Sequence, residues 1–454
     1  MVNEWAGARV LVVGLARSGA AVARLLLRHG AQVTITDRRR AEELGEEANE
    51  LARMGARLVV GGHPESLFDQ PWDEVVKNPG VPYSAHPVAE AIRRGIPVVT
   101  ELEVAWRIRP ENWLGITGTN GKTTTTSWVG HMLEVAGVPH RVAGNIGVPL
   151  CDVVEAIDSE KWLVAELSSF QLQGTLRFRP HIGAILNIYP AHLDYHGGLE
   201  AYAAAKKNMF VNQGPEDYAV LNGGRKDEHH LMAGVRARPA RFGGPRRPGV
   251  PGMAVEGDRV LWWDGFRAEP VCAVSDVALP GEHNLENFLA AGTLAVLAGA
   301  SLSAVATSGR TFRGVEHRME FVRQWQGVTF YNDSKATNPE AAFRALGAFP
   351  KNVIWIAGGL DRGDDYRRLL PLLQEGRVKT VLTMGQSGPR IAALAQEVDI
   401  PVRRVADVEE AVRIAVSLAR GGDVVLLSPA AASWDQYRSF EERGRMFKEA
   451  VNKL

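Results

Sequence analysis

Gly118-Thr119-Asn120-Gly121-Lys122-Thr123-Thr124 is the stretch that decides the fold. It follows a strand-like run, Trp113 to Thr117, and precedes a helical pattern starting at about Thr124. Strand, glycine-rich loop and helix in this order typically hold phosphate, because backbone N–H groups converge there at the positive end of the helix. We expect Lys122 to reach the β- and γ-phosphates of a nucleotide, and Thr123 or Thr124 to offer Mg²⁺ a hydroxyl.

The strict P-loop pattern GxxxxGK(S/T) is not met, because Ile116 stands at the first glycine position. The alternative is a glycine-rich turn with an exposed lysine and a threonine-rich helix start. The order of strand, loop, lysine, hydroxyl and helix favours the phosphate site.

Strand-like and helical stretches alternate on both sides of this loop, which predicts α/β domains in series. A chain of 454 residues has room for about three domains. Pro110 and the polar residues around it, at 107–112, and a glycine near 314 indicate the boundaries. We predict a Rossmann-like domain at 1–108, a central P-loop-type ATPase domain at 109–314 and a second Rossmann-like domain at 315–454. The Pro-, Gly- and Arg-rich stretch 236–252 is predicted to be a surface loop.

Composition excludes several classes of protein. The 52 basic and 52 acidic residues give a net charge of +0, so no global field attracts nucleic acid or a membrane surface. Two distant cysteines provide neither a disulfide framework nor metal-ligand spacing. We see no signal peptide and no apolar run of membrane-spanning length, and we expect a cytoplasmic location.

Two polar side chains of the middle region follow strands. Glu166 lies at the end of an apolar strand, where a carboxylate faces the ligand crevice of an open sheet and suits Mg²⁺. An exposed strand-end acid is an equally good interpretation of Glu166. His192 follows the next strand and could share that crevice, although a lone histidine is more often structural.

A second glycine-rich turn, Gly14 to Gly19, follows the first strand. It suggests a dinucleotide site, but Ala16 breaks the GxGxxG pattern. A nicotinamide-dependent dehydrogenase is therefore one alternative function, and it leaves Lys122, Lys206 and Arg318 unexplained. A non-enzymatic nucleotide switch built on the phosphate loop is another.

The string Gly115 to Thr124 resembles the nucleotide loop of the Mur ligases, whose relatives include folylpolyglutamate synthases and cyanophycin synthetases. The resemblance extends over nearly the whole chain. It implies three α/β domains and an ATP-dependent ligase that joins an amino acid to a UDP-N-acetylmuramoyl peptide through an acyl-phosphate. Such an enzyme would act in peptidoglycan precursor synthesis as a monomer, on small-molecule substrates and with no nucleic-acid or membrane partner.

The resemblance also assigns catalytic groups. Lys206 would react with CO₂ to form a carbamate, with Lys207 as the competing candidate, and two Mg²⁺ ions would be held by Thr123, Glu166, His192 and carbamylated Lys206. His192 would bind metal or assist proton removal. Arg318 would contact the ATP phosphates and Asp333 the ribose. Asn284 and Asn287 would face adenine, although a helix cap explains Asn284 equally well.

The substrate residues are likewise implied by the resemblance. Asn145 would contact the sugar-peptide, and Asn78 replaces the serine of the family's Ser-Pro-Gly turn. The UDP moiety would be held by Arg17, Ser18, Asp37 and Arg38.

The segment Leu427 to Phe440 resembles the D-glutamate-adding branch of the family. The expected substrates are UDP-N-acetylmuramoyl-L-alanine, ATP and D-glutamate. L-alanine and diamino-acid ligases are the near alternatives; a folate ligase would lack the UDP-binding domain. D-Glutamate would contact Lys335, Thr337, Arg362, Ser433 and Phe440, with Arg362 standing where some members have lysine.

Overall fold

The computed structural model describes residues 4–279 and 281–454. The chain divides into two compact units, residues 1–312 and 313–454. Two sheets lie in the first unit and one lies in the second. The α/β class is as predicted, whereas the domain boundaries stay predictions. No helix in the described part of the chain is long and apolar enough to cross a membrane.

The first sheet is parallel, with strand order β3-β2-β1-β4-β5. Its central strand β1 is fully buried from Val10 to Val13, as expected where helices cover both faces. Its elements are β1 (Arg9–Val13), α1 (Arg17–Arg28), β2 (Gln32–Asp37), α2 (Ala41–Arg53), β3 (Arg57–Val60), β4 (Glu74–Lys77), α3 (His86–Arg93), β5 (Val98–Val99) and α4 (Glu101–Ile108).

The second sheet has nine strands in the order β14-β13-β12-β11-β10-β9-β6-β8-β7. Helix α5 follows the phosphate loop, and α10 packs against it. The elements are β6 (Trp113–Thr117), α5 (Lys122–Val135), β7 (His140–Gly144), β8 (Trp162–Glu166), α6 (Ser169–Gln173), β9 (Ile182–Ile185), α7 (Leu193–His196), α8 (Leu199–Val211), β10 (Tyr218–Asn222), α9 (Glu228–Met232), β11 (Arg238–Phe242), β12 (Gly252–Glu256), β13 (Arg259–Trp263), β14 (Ala268–Ala273), α10 (Glu282–Leu297) and α11 (Leu302–Thr311).

The prediction that residues 236–252 form only a loop is wrong. They contain β11, which pairs in parallel with β10 over five residues and with β12 at Arg241 and Phe242. Pro239 is tolerated because it lies outside the short β12 pairing, where its missing N–H breaks no ladder bond on that side. Strands β12, β13 and β14 then extend the sheet in antiparallel fashion.

The first and second sheets share one hydrophobic core. Buried side chains of β1 and α1 belong to the same cluster as Trp113 and Leu163 of the second sheet. Glu101, the first residue of α4, is 2% exposed in this region, and its Oε1 accepts a 3.4 Å bond from the Leu150 N–H. Burial raises the pKa of Glu101 to about 8, only partly opposed by this hydrogen bond.

Glu101→Gln should remove a pH dependence of stability. The folded protein keeps a proton on Glu101 that the unfolded chain, with a pKa near 4.5, releases. The free energy of unfolding contributed by this group is therefore full below pH 4.5 and is lost as pH rises through about 8. At pH 9 the variant should be more stable than the parent by on the order of a few kcal/mol. Urea unfolding at pH 6 and pH 9 tests this; parallel pH profiles for the two proteins would contradict it.

The third sheet has strand order β15-β16-β20-β17-β18-β19, with only the edge pair β15–β16 antiparallel. Its elements are β15 (Glu320–Trp325), β16 (Val328–Asn332), α12 (Pro339–Gly347), β17 (Val353–Gly358), α13 (Leu370–Gln374), β18 (Val378–Met384), α14 (Gly388–Gln396), β19 (Val402–Arg404), α15 (Val408–Leu418), β20 (Val424–Leu427) and α16 (Phe440–Asn452).

Candidate nucleotide and substrate sites

The phosphate loop connects β6 to α5. The helix begins at Lys122, two residues earlier than predicted, and Gly121 precedes it with φ of 81°. A Cβ on Gly121 would lie 2.4 Å from Asn287 Oδ1, so both conformation and space require glycine. The Lys122 ammonium donates to the carbonyls of Gly118 and Thr119 at 2.9 and 3.0 Å. These two hydrogen bonds hold the Lys122 ammonium against the backbone of the phosphate loop.

Two side chains that sequence reasoning missed fix this loop. Asn187 accepts a bond from the Asn120 N–H at 2.9 Å and donates to the Asn120 carbonyl at 3.2 Å. The hydroxyls of Tyr202 and Thr119 are 3.1 Å apart. Asn187 lies two residues after the end of β9, so its position after a strand was the available signal.

Asn287, predicted to face adenine, packs against the loop. Its Oδ1 accepts a 3.3 Å bond from the Thr125 hydroxyl, and its amide lies 3.4 Å from Asn284 Oδ1. Asn284 is not a helix cap, because α10 begins at Glu282 with Gly281 in the cap position. The capping explanation for Asn284 is therefore wrong, whereas its contact with adenine stays a prediction.

Lys206, and not Lys207, faces the loop. The Lys206 ammonium is 1% exposed and donates to the Gly118 carbonyl at 2.9 Å and the Thr117 hydroxyl at 3.2 Å. Lys207 instead donates to the carbonyls of His230 and Ala233 at the surface. Burial, with repulsion from Lys122, lowers the pKa of Lys206 to about 6. A neutral, nucleophilic amine is therefore accessible at ordinary pH.

Glu166 at the end of β8 is also buried, with 1% of its surface exposed. The Asn145 amide donates to its Oε1 at 2.7 Å, and the Asn145 N–H donates to its carbonyl at 2.9 Å. Its Oε2 is buried and has no hydrogen-bond partner among the residues that the structure describes. A buried carboxylate oxygen without a partner calls for a proton or a cation.

His192 lies near the same lysines. It adopts the left-handed region, with φ of 52°, just before α7. Partial burial, together with the positive charges of Lys122 and Lys206, lowers the pKa of His192. Its ring is 5.0 Å from that of Phe170. The imidazole is therefore favoured in its neutral form, the form that binds metal or accepts a proton.

These residues fit Mg²⁺ better than a metal held by protein alone. In the described part of the chain, no group of three or more His, Cys, Asp or Glu side chains could hold an ion. Magnesium usually takes only one or two carboxylates and completes its shell with substrate phosphates and water. The free oxygen of Glu166 and the buried Thr123, at the start of α5, suit that mode of binding.

The second glycine turn meets the middle region. Arg17, the first residue of α1, donates to the Gly147 carbonyl at 2.8 Å, two residues beyond Asn145. Asn78, which replaces the family's serine, donates to the Ser18 hydroxyl at 3.2 Å. Arg17, Ser18 and Asn145, all predicted to bind the UDP substrate, therefore lie along one connected surface.

Asp37 pairs with Arg39, which the sequence did not single out. Burial alone would raise the pKa of Asp37, but the Arg39 guanidinium and the Leu15 N–H lower it to about 2. Arg38, the predicted helper, is exposed. An ionised carboxylate fixed at the end of β2 suits a sugar hydroxyl or an imide N–H.

Lys77 is a second buried cation between the two sheets. It is 0% exposed and donates to the Tyr195 hydroxyl at 3.2 Å and the Pro79 carbonyl at 3.3 Å. The Tyr195 hydroxyl also lies 3.1 Å from the Val81 carbonyl. These contacts join the Asn78-Pro79-Gly80 turn to helix α7, next to His192.

In the second unit, Asp333 ends β16. It is 6% exposed, and burial raises its pKa to about 7, although the Ser428 hydroxyl and the Met319 N–H both donate to it. The positive charge of Arg318 acts on this carboxylate. The Arg318 side chain is exposed and forms no ion pair with another described residue.

The predicted amino-acid residues surround the ends of β16, β17 and β20. Ser433 is 1% exposed, and its hydroxyl has no hydrogen-bond partner within the described part of the chain. It lies in the segment after β20, seven residues before α16, which begins at Phe440 after the Ser439 cap. The Lys335 ammonium is 5.8 Å from the Phe440 ring, and Thr337 follows in the same loop. Arg362 lies exposed in the loop after β17.

Fold and sites together indicate an ATP-using α/β enzyme, in which separate groups of residues are candidates for binding the nucleotide, the sugar nucleotide and the amino acid. Three family models match consecutive parts of the chain. Their descriptions are Mur ligase MurD-like, N-terminal domain (residues 8–100), Mur ligase middle domain (116–244) and Mur ligase, glutamate ligase domain (317–431).

Two relatives match along the whole length. The UDP-N-acetylmuramoylalanine–D-glutamate ligase of Geobacillus kaustophilus is 49% identical, with 98% of each chain covered. That of Lacticaseibacillus paracasei is 42% identical, covering 100% of this chain and 97% of its own. The chain belongs to the Mur ligase family. The resemblance inferred from its motifs is confirmed.

Solved structures agree on the fold. The UDP-N-acetylmuramate–alanine ligase of Thermotoga maritima aligns with a TM-score of 0.53 at 20% identity, covering 98% of this chain and 99% of its own. The D-alanyl-D-alanyl-adding ligase of Acinetobacter baumannii aligns with a TM-score of 0.56 at 16% identity, covering 97% and 93%. The three-domain prediction is confirmed, and the dehydrogenase and nucleotide-switch alternatives lose their support.

Proposed function

We propose that this enzyme joins D-glutamate to UDP-N-acetylmuramoyl-L-alanine in an ATP-dependent reaction that passes through an acyl-phosphate. The relatives at 42–49% identity carry this activity in their names and match the chain from end to end. ATP is the co-substrate, as expected for a ligase of this family. The reaction needs only small-molecule partners, and every residue invoked belongs to a single chain.

The hydrogen bond between Asn145 and Glu166 is the structural observation that best supports the proposal. Asn145 is the candidate ligand of the sugar-peptide, and Glu166 is the candidate metal carboxylate beside the phosphate loop. Their side chains are 2.7 Å apart. A substrate bound by Asn145 would therefore present its alanine carboxylate where the γ-phosphate of ATP lies.

The first chemical step forms the acyl-phosphate. A carboxylate oxygen of the substrate attacks the γ-phosphorus, the bond to the bridging oxygen breaks, and ADP leaves. Lys122 neutralises charge that spreads over the transferred phosphoryl oxygens, and the family resemblance assigns a second positive charge to Arg318. When bound, Mg²⁺ supplies further neutralisation of the phosphate oxygens.

The second step forms the amide. The D-glutamate amine attacks the acyl carbon, phosphate leaves through a tetrahedral intermediate, and the nitrogen loses a proton. A neutral His192 can accept that proton, in keeping with the lowering of its pKa. Holding both reactants in place removes much of the entropic cost of this step.

Lys206 is proposed to carry the carbamate. A bare ammonium at this position is unfavourable, since burial and Lys122 both oppose its charge. Reaction of the neutral amine with CO₂ forms a C–N bond and releases one N–H proton, and the resulting anion suits a neighbouring Lys122 and could hold a second Mg²⁺ with His192. The low pKa and near-complete burial of Lys206 support this assignment.

D-Glutamate should be the preferred acceptor. Its two carboxylates need two anchors, and the buried Ser433 hydroxyl and the Arg362 guanidinium can supply them. D-Alanine and D-glutamine should lose at least about 10²-fold in kcat/KM, because the anchor for the missing carboxylate stays unpaired.

The test measures ADP release from UDP-N-acetylmuramoyl-L-alanine and ATP with each amino acid in turn. D-Glutamate should give the fastest release. Faster release with L-alanine or with a diamino acid would leave the ligase class intact and overturn the specificity. No amino-acid-dependent release at all would overturn the proposed reaction.

A further inference from the structure

Trp434 is the most exposed tryptophan among the described large hydrophobic side chains, with 65% of its surface accessible. It directly follows Ser433, the buried hydroxyl proposed for one carboxylate of D-glutamate. The Cζ atom of Arg362 lies 4.5 Å from the centroid of the Trp434 ring. This distance is within the range of a cation–π contact, and tryptophan is the aromatic residue that binds cations best in this way.

The backbone around both side chains is fixed. The Leu360 N–H donates to the Ala432 carbonyl at 2.9 Å, which joins the loop after β17 to the segment after β20. A Cβ on Gly359 would lie 2.1 Å from that same carbonyl, so the two segments are in close contact. Each partner of the cation–π pair therefore stands two residues from this link.

The two carboxylates next to this pair in sequence form their contacts with other residues and not with Arg362. Asp361 accepts bonds from the Gly363 N–H at 2.9 Å and from Arg390 at 2.7 Å. Asp435 accepts a bond from the Gln386 N–H at 3.0 Å. No described carboxylate forms an ion pair with Arg362. The indole thus orients the guanidinium and leaves its charge in place. An aspartate or glutamate in the same position would cancel that charge.

We propose that Trp434 is a positioning residue for amino-acid recognition: its indole face holds the Arg362 fork ready for the side-chain carboxylate of D-glutamate. The inference rests on the proposed function, in which Arg362 binds that carboxylate. A flexible arginine loses rotamer freedom when it binds, and prior ordering on the indole reduces that loss. Chemically, the pair selects an amino acid with an anionic side chain.

The experiment is a double-mutant cycle on the full-length enzyme. Trp434→Leu should raise KM for D-glutamate between about threefold and about tenfold, with KM for ATP and kcat nearly unchanged. Trp434→Phe should recover part of the loss, because it restores an aromatic face. In an Arg362→Met background, Trp434→Leu should have no further effect on KM for D-glutamate.

Each outcome has a distinct meaning. If Trp434→Leu raises KM equally in both backgrounds, the indole does not act through Arg362 and the inference is wrong. An increase in KM for ATP of the same size would point to a general structural effect, and also overturns it. If Arg362→Met leaves KM for D-glutamate unchanged, the role of Arg362 in the proposed function is wrong, and the inference about Trp434 is wrong as well. Both side chains are exposed, so unfolding midpoints should stay close to that of the parent.

Discussion

Lys122→Ala should reduce ADP release by on the order of 10²–10⁴-fold while leaving the protein folded. The Lys122 ammonium is held at the phosphate loop by the carbonyls of Gly118 and Thr119. Its charge is therefore positioned before the reaction, and stabilises a transition state in which negative charge spreads over phosphoryl oxygens. Steady-state ADP release at saturating substrates measures the loss.

Lys207→Ala is the matched control. Lys207 lies at the surface and donates to the carbonyls of His230 and Ala233, away from the loop. It removes the same charge and the same number of side-chain atoms, so activity should stay within about twofold and stability within a few tenths of a kcal/mol. Near-parental ADP release by Lys122→Ala would show that this loop does not bind the transferred phosphate.

The phosphate loop could be located from the sequence because local rules specify it. A buried strand, a glycine turn and a helix start occupy consecutive positions, and each has its own composition. The helix nevertheless begins at Lys122 instead of about Thr124. The difference arises from Gly121, whose left-handed backbone allows the helix to start at once against Asn287, a residue 166 positions further along. Such distant packing leaves no local signal.

The edge of the central sheet could not be predicted for a related reason. The stretch 236–252 has the prolines, glycines and arginines of a loop, yet β11 forms there by pairing with β10. Ala240, Arg241 and Phe242 are all buried, whereas Arg238 and Pro239 are exposed, so the run lacks the alternation that marks a half-buried strand. Only the presence of a partner strand determines that this short run becomes part of the sheet.

Charge pairing is the third thing that local patterns left open. Asp37 could have paired with Arg38, Arg39 or Arg40, which follow it in sequence, and the turn after β2 selects Arg39. The choice between Lys206 and Lys207 was open in the same way. Neighbours on a helix point about 100° apart, so the packing of α8 on the sheet decides which lysine is buried at the loop.

Replacement of the buried Lys206 tests whether this side chain carries an anionic carbamate. Lys206→Ala should lose on the order of 10²-fold or more in activity, and millimolar formate or acetate should restore part of it. The variant leaves a buried space beside Thr117 and Gly118, lined by the positive charge of Lys122, and a small carboxylate can occupy it with its oxygens where those of the carbamate would lie. The same acids should not activate the parent enzyme, whose site is filled. Activity near that of the parent in the untreated variant would show that the reaction needs no anionic group at this position. A bare ammonium on Lys206 in crystals grown with Mg²⁺ and bicarbonate would overturn the carbamate directly.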